Sequence, residues 1–292
     1  MLCNYYTVGE HSFQLTFSKR NAWIDSLSNY IPFRVMDHVG TCLFQLTIVD
    51  SLDKNKEFRH VGRFDDDIAS IDISKSPCGN FRILLAPPSS SSYGEMYINT
   101  EFREAQVSLP SDEQEAVFCL NNCLMLLYAI ASAGLDTLLI HASVIKKENK
   151  GFVFLGKSGT GKSTHSRLWI DYIDSSELLN DDNPVIRIID GRAYVFGSPW
   201  SGKTACYKNI SVPLAGVVKL SQAPENLIKR LSALRAYATL LPACSNMSWE
   251  DDIATGIHLT LETLARSVAC YQLDCLPDRD AAMLCASNLQ NE

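Results

Sequence analysis

The stretch Gly156-Lys157-Ser158-Gly159-Thr160-Gly161-Lys162-Ser163 follows the pattern G-x-x-x-x-G-K-[ST]. Glycines let successive backbone N–H groups turn inward around phosphate oxygens, where Cβ atoms would stand in the way. A helix that begins where such a loop ends adds positive potential at the same point. Lys162 would then reach the β- and γ-phosphates of a nucleotide, and the Ser163 hydroxyl would ligate Mg²⁺. The predicted nucleotide-binding set is Gly156, Ser158, Gly159, Thr160, Gly161, Lys162, Ser163 and the adjoining Thr164. The bland alternative is an ordinary glycine-rich turn between a strand and a helix.

A triphosphate site needs a carboxylate near the metal, and a transferase needs a base for its acceptor. Leu178-Leu179-Asn180-Asp181-Asp182 supplies two adjacent acids downstream of the loop. Neighbouring residues of a strand point to different faces, so one acid can serve a metal and the other an acceptor hydroxyl. Taken alone, Asp-Asp-Asn-Pro also reads as a turn with solvent-facing acids, and His141 as a satisfied core histidine. Lys203 is a candidate cation for the transferring phosphoryl group or the acceptor, although most lysines at loop ends are simply solvated.

These residues need elements to place them. The apolar run up to Leu155 predicts a buried strand leading into the loop, and a helix is predicted from about Gly161 to Ile173. Thr137 to Ile145 reads as a second buried strand. Val185 to Ile189 and Ala193 to Phe196 flank Asp190-Gly191, which predicts a type I′ hairpin. Leu214 to Leu220 reads as a strand, 224 to 240 and 249 to 266 as helices, 268 to 274 as a strand, and a last helix starts near Asp278. Upstream, Ser111 is the expected N-cap of a helix whose apolar residues recur at helical spacing until Gly134.

Residues 1 to 104 read as a small β-rich domain, with strand-like runs at Tyr5 to Phe17, Cys42 to Val49 and Phe81 to Leu85. A short helix is expected at Ala22 to Tyr30, a solvated turn at Asp65 to Asp67, and an exposed loop through Pro87 to Gly94. The second domain is expected to run from 105 to 292.

Composition narrows the classes of function. The 292 residues carry 26 Lys+Arg against 33 Asp+Glu, a net charge of −7, with 46% apolar and 20% charged residues. That is a globular balance without general attraction for nucleic acid or anionic membranes. No apolar run is long enough to span a bilayer, and the start of the chain does not look like a signal peptide, so a cytoplasmic location is expected. The ten cysteines form no metal-ligand pattern and are expected to be reduced.

Leu139-Ile140-His141-Ala142, the glycine loop, Leu179-Asn180-Asp181-Asp182 and Gly197-Ser198-Pro199-Trp200-Ser201-Gly202-Lys203, in that order, resemble the carboxy-terminal domain of the HPr kinase/phosphorylase family. Its wider fold group includes ATP-dependent phosphoenolpyruvate carboxykinases. The resemblance covers about residues 105 to 292. It implies an α/β domain of the P-loop type found in that group, behind the β-rich amino-terminal domain. It also implies ATP or another purine nucleotide with Mg²⁺, and transfer to a hydroxyl of a protein, peptide or small molecule. Asp181 matches the family's general base, Asp182 the metal-side acid, and His141 the histidine on the preceding strand. The family's glycine- and arginine-rich signature after the acidic pair is missing between Asp190 and Leu220, which argues against phosphorolysis and against HPr itself as acceptor. A nucleotide-binding module without turnover and a carboxykinase-like enzyme are the rival readings, and self-association into a homo-oligomer is left open.

Overall fold

Alternation of apolar and polar residues in the first part of the chain builds one broad sheet with a dry face and a wet one. The computed structural model describes residues 2–17, 24, 27–36, 40–53, 56–65, 69–88, 90–202, 204–245, 247 and 250–290. The chain divides into two units, residues 1–131 and 132–292. In the first, β1 (Leu2–Val8), β2 (His11–Phe17), β3 (Arg34–Val35), β4 (Gln45–Ile48), β5 (Arg59–Asp65), β6 (Ser70–Lys75), β7 (Phe81–Ala86), β8 (Gly94–Ile98) and β9 (Glu104–Ser108) form a nine-stranded sheet. Its order is β3-β1-β2-β4-β9-β8-β7-β6-β5. The pairs β2–β4 and β4–β9 are parallel, and the others antiparallel. Phe13, Leu15, Leu46, Ile83, Met96 and Val107 lie on the buried face.

Helix α1 (Glu113–Ser132) belongs to this unit. Asp112, not Ser111, caps it, with Oδ1 accepting the Glu115 N–H at 3.0 Å. Leu120, Cys123, Leu124, Leu127 and Tyr128 are fully buried, the Tyr128 hydroxyl donates to Val8 O, and the Cys119 thiol contacts Leu85 O. By length and apolarity α1 would suit a bilayer, but half of its surface is taken up inside the protein and its polar tips reach the sheet. The sequence pattern alone puts this helix at the head of the second domain, whereas its contacts group it with the first unit.

The second unit contains β10 (Thr137–Leu139), β11 (Ala142–Lys147), β12 (Lys150–Leu155), α2 (Lys162–Tyr172), β13 (Ser176–Asp182), β14 (Val185–Ile189), β15 (Arg192–Phe196), β16 (Ser211–Gln222), β17 (Leu227–Arg230), α3 (Ala233–Leu240), α4 (Asp251–Ser267), β18 (Cys270–Cys275) and α5 (Arg279–Gln290). The strands run in the order β10-β14-β15-β16-β12-β11-β13, with β18 beside β16 and β17 beside β18. β12, β16 and β18 are parallel, and β12 reads as an unbroken apolar run because both of its faces are covered. Trp169 of α2 fills the core against Phe152 and Phe154, with Cys285 and Leu289 of α5 in the same cluster.

Several expectations change. The run 137 to 145 is two strands, because Ile140 N bonds to Pro184 O and His141 N to Ala243 O, which turns the chain between β10 and β11. Within 224 to 240 only 233–240 is helical, and Leu227–Arg230 pairs with β18 instead. Tyr5 to Phe17 is a hairpin turning at Gly9 and Glu10, both at positive φ. Positions 22, 23, 25 and 26 of the helix expected at 22 to 30 lie outside the described residues, as do Asp66 and Asp67; Ser28–Phe33 is a 3-10 turn. The Asp190-Gly191 hairpin has the predicted backbone, with φ of 49° and 74°.

Candidate functional site

The glycine loop joins the end of β12 to the start of α2, which sets the helix N-terminus, with its unsatisfied N–H groups, directly beside the loop. Gly159 and Gly161 sit at φ +77° and +101°, where L side chains are strained, and Gly161 precedes the first residue of α2. No atom lies within 4 Å of the point where a Gly159 Cβ would stand, so backbone conformation rather than space requires that glycine. Thr160 N and Oγ1 both donate to Lys157 O, tightening the loop, and Gln222 Nε2 donates to Gly159 O at 3.3 Å. Ser158 and Thr164 are exposed beside them.

Helix α2 is fixed from below. Trp169 Nε1 donates to His165 Nε2 at 3.2 Å, the His165 ring meets Phe154 edge-on, and the Ser166 and Ser143 hydroxyls share a buried 2.6 Å bond. Burial pushes His165 down to about 4, so it stays a neutral acceptor. This is a core histidine; His141 is the one at the site.

Lys162 Nζ donates to Gly156 O at 3.0 Å and contacts His141 Nε2 at 2.9 Å. Because an ammonium only donates, Nε2 is the acceptor, which leaves Nδ1–H to donate to Asp182 Oδ1, 3.1 Å away. Burial lowers the Lys162 pKa, opposed by the charges of Asp182 and Asp181. Ser163 Oγ donates to Asp181 Oδ1 at 3.0 Å. The acids sit at the end of β13 opposite Ser143 and Ala142, and their contacts diverge as adjacent strand residues should. Asp181 meets the loop serine, and Asp182 meets the histidine that precedes β11.

The Pro199-Trp200-Ser201-Gly202 segment is stitched to the same strand end. Gly202 N donates to Asp181 O at 2.7 Å, and Ser201 forms an isolated bridge with Asp182. A Cβ on Gly202 would stand 3.0 Å from Asp181 O and 3.3 Å from the Asp182 carboxyl carbon. Lys203 lies outside the described residues. In the sequence Asn180 and Ser198 stand out only as motif letters, yet both are fully buried polar residues beneath the acids. A polar residue inside an otherwise apolar strand end was the available signal.

Ser163 and Asp181 offer hard oxygen donors beside the glycine loop, a set whose chemistry fits Mg²⁺ if a substrate's phosphates supply further ligands. No cluster of three or more His, Cys, Asp or Glu side chains suited to a metal occurs among the described residues.

The family model for SynChlorMet cassette protein ScmC matches residues 106–275. The chain belongs to the ScmC family. The match takes in His141, the glycine loop, both acids and Lys203. No curated protein matches the chain. Among solved structures it is similar to the HPr(Ser) kinase/phosphatase from Coxiella burnetii, at 12% identity over 52% of this chain and 88% of that one, with a TM-score of 0.33.

Proposed function

We propose that this ScmC-family chain is a phosphotransferase that binds a purine nucleoside triphosphate, ATP foremost, with Mg²⁺. It passes the terminal phosphoryl group to a hydroxyl of a protein, peptide or small molecule. The observation that carries the reading is the convergence of Lys162, His141, Ser163, Asp181 and Asp182 at the opening of the glycine loop. Magnesium, when bound, would neutralise phosphate charge.

The loop N–H groups and Lys162 hold the phosphates, Lys162 exchanging its contact with His141 for a phosphate oxygen. Ser163 and Asp181 form the metal side, because they contact one another. Asp182 takes the acceptor's proton on its carboxylate, oriented by the Nδ1–H of His141. This exchanges the roles that the family resemblance implied for the two acids, and the contact geometry favours the exchange. Lys203 serves as the cation toward the transferring group.

The test uses purified protein, MgCl₂ and γ-labelled ATP, reading ADP formation and label transfer to a panel of serine-containing peptides. Lys162→Ala and Asp182→Ala should each lower turnover by about 10²–10⁴-fold while remaining folded. Calorimetry that detects no binding of any purine nucleotide with Mg²⁺ refutes the reading, as does normal turnover in either variant. Binding without turnover in the wild type would assign the chain to the rival class of nucleotide-binding modules.

A further inference from the structure

β13 approaches the site with one residue too many. Val144 pairs with Asn180 while Ile145 pairs with Leu178, so Leu179 is the extra residue of a β-bulge. Bulges re-aim the side chains that follow them, and here the next residues are Asn180, Asp181 and Asp182. Asn180, with none of its surface exposed, spends its carboxamide in two directions. Its Oδ1 accepts the Asp182 N–H at 3.2 Å, closing a side-chain turn over Asp181, and its Nδ2 donates to Ser198 Oγ at 3.1 Å. Ser198 is as deeply buried and is itself a hub, since its Oγ donates to Asn183 O at 2.6 Å and accepts the Trp200 N–H at 3.2 Å.

An apolar residue of the same size at 180 would deprive the Asp182 N–H of its side-chain acceptor and leave part of the fully buried Ser198 hydroxyl without a partner, which is costly. The carboxamide ties three things together: the bulged strand end, the two acids and the Trp200 loop.

We propose that Asn180 is a positioning residue. Its buried carboxamide, locked to Ser198, aims the Asp182 carboxylate at His141 while Asp181 faces Ser163. The proposal rests on the phosphotransfer reading for its catalytic consequence, although the geometry it asserts does not. Asn180 touches no reacting atom. Losing it should change the chemical step and spare the phosphate loop, because a misplacement of about 1 Å can cost roughly 10²-fold in rate.

The test compares wild type, Asn180→Ala, Asn180→Ser and Ser198→Ala. Crystal structures of the nucleotide-free proteins should show Asp182 Oδ1 withdrawn from His141 Nδ1 in Asn180→Ala, beyond the 3.1 Å of the native contact. With MgATP and water as acceptor, kcat should fall by about 100-fold in Asn180→Ala while KM for ATP changes by less than about threefold. Asn180→Ser, whose hydroxyl can accept the Asp182 N–H, should recover part of the loss. An undisplaced Asp182 in Asn180→Ala overturns the proposal whatever the protein does to nucleotides, and so does a matched loss in kcat and ATP affinity. If Asn180→Ala does not fold, Ser198→Ala carries the same two readouts, and the same outcomes support or overturn the proposal. A wild type that binds no MgATP overturns the phosphotransfer reading instead, while the crystal comparison still judges the brace.

Discussion

Acidification should loosen the second unit through one buried ring. Burial holds His165 at about 4, against an ordinary value of 6.5, and its Nε2 already accepts the Trp169 indole N–H. A histidine whose pKa is depressed on folding is neutral in the native state and takes up its proton more readily when unfolded. Its contribution is therefore complete above about pH 6.5 and is lost as pH falls toward 4. Each pH unit between the two values is worth about 1.36 kcal/mol. Integrated from pH 7.5 to pH 5.0, the loss is about 2 kcal/mol, a large part of a typical domain's stability. The assay is urea unfolding at those two pH values, followed by tryptophan fluorescence and circular dichroism, for wild type and His165→Gln. Glutamine does not titrate and can still accept from Trp169. The variant will be less stable at pH 7.5, but its loss between the two pH values should be smaller than that of wild type by about 2 kcal/mol. Equal losses in both proteins would refute the reasoning, since every other titrating group is common to the two.

Gly161→Ala and Gly191→Ala both force a β-carbon onto positive φ, at +101° and +74°, with no clash at either: the nearest atom to the new carbon at 161 is Thr164 Cβ at 3.9 Å, and none lies within 4 Å at 191. Each should cost about 1 kcal/mol in denaturant unfolding, but only Gly161→Ala should also weaken MgATP binding in calorimetry. Gly197→Ala would place Cβ 2.0 Å from Lys208 O, so the segment leading to Trp200 must move. A stability loss above about 2 kcal/mol is expected, together with lower turnover. Tyr128→Phe removes the buried hydroxyl that donates to Val8 O and should cost about 1 kcal/mol, read as a shifted urea midpoint, without touching nucleotide binding.

What the sequence made legible was local. The glycine loop, the paired acids and the Asp190-Gly191 turn are short patterns whose conformations follow from the residues themselves, and the structure brings the loop and the acids together. Features decided by distant partners were not legible. His141 reaches the site because Pro184 and Ala243 interrupt a strand-like run. Leu227–Arg230, charged and exposed, becomes a strand only because β18 lies alongside. Which of the two acids meets Ser163 and which meets His141 is set by the fold, and the bulge at Leu179 just before them has no sequence signature.

The home of α1 bears on how the protein can be dissected. The helix begins at Glu113, inside the ScmC-family match, yet it lies against the strands that come before that match. A fragment begun at residue 105 would carry off the helix without its sheet, baring Leu120, Leu124, Leu127 and Tyr128 to water. Such a piece would clump or seek detergent, and its behaviour would be mistaken for a property of the glycine loop. Cutting after residue 131 keeps the greasy rod with its own cover.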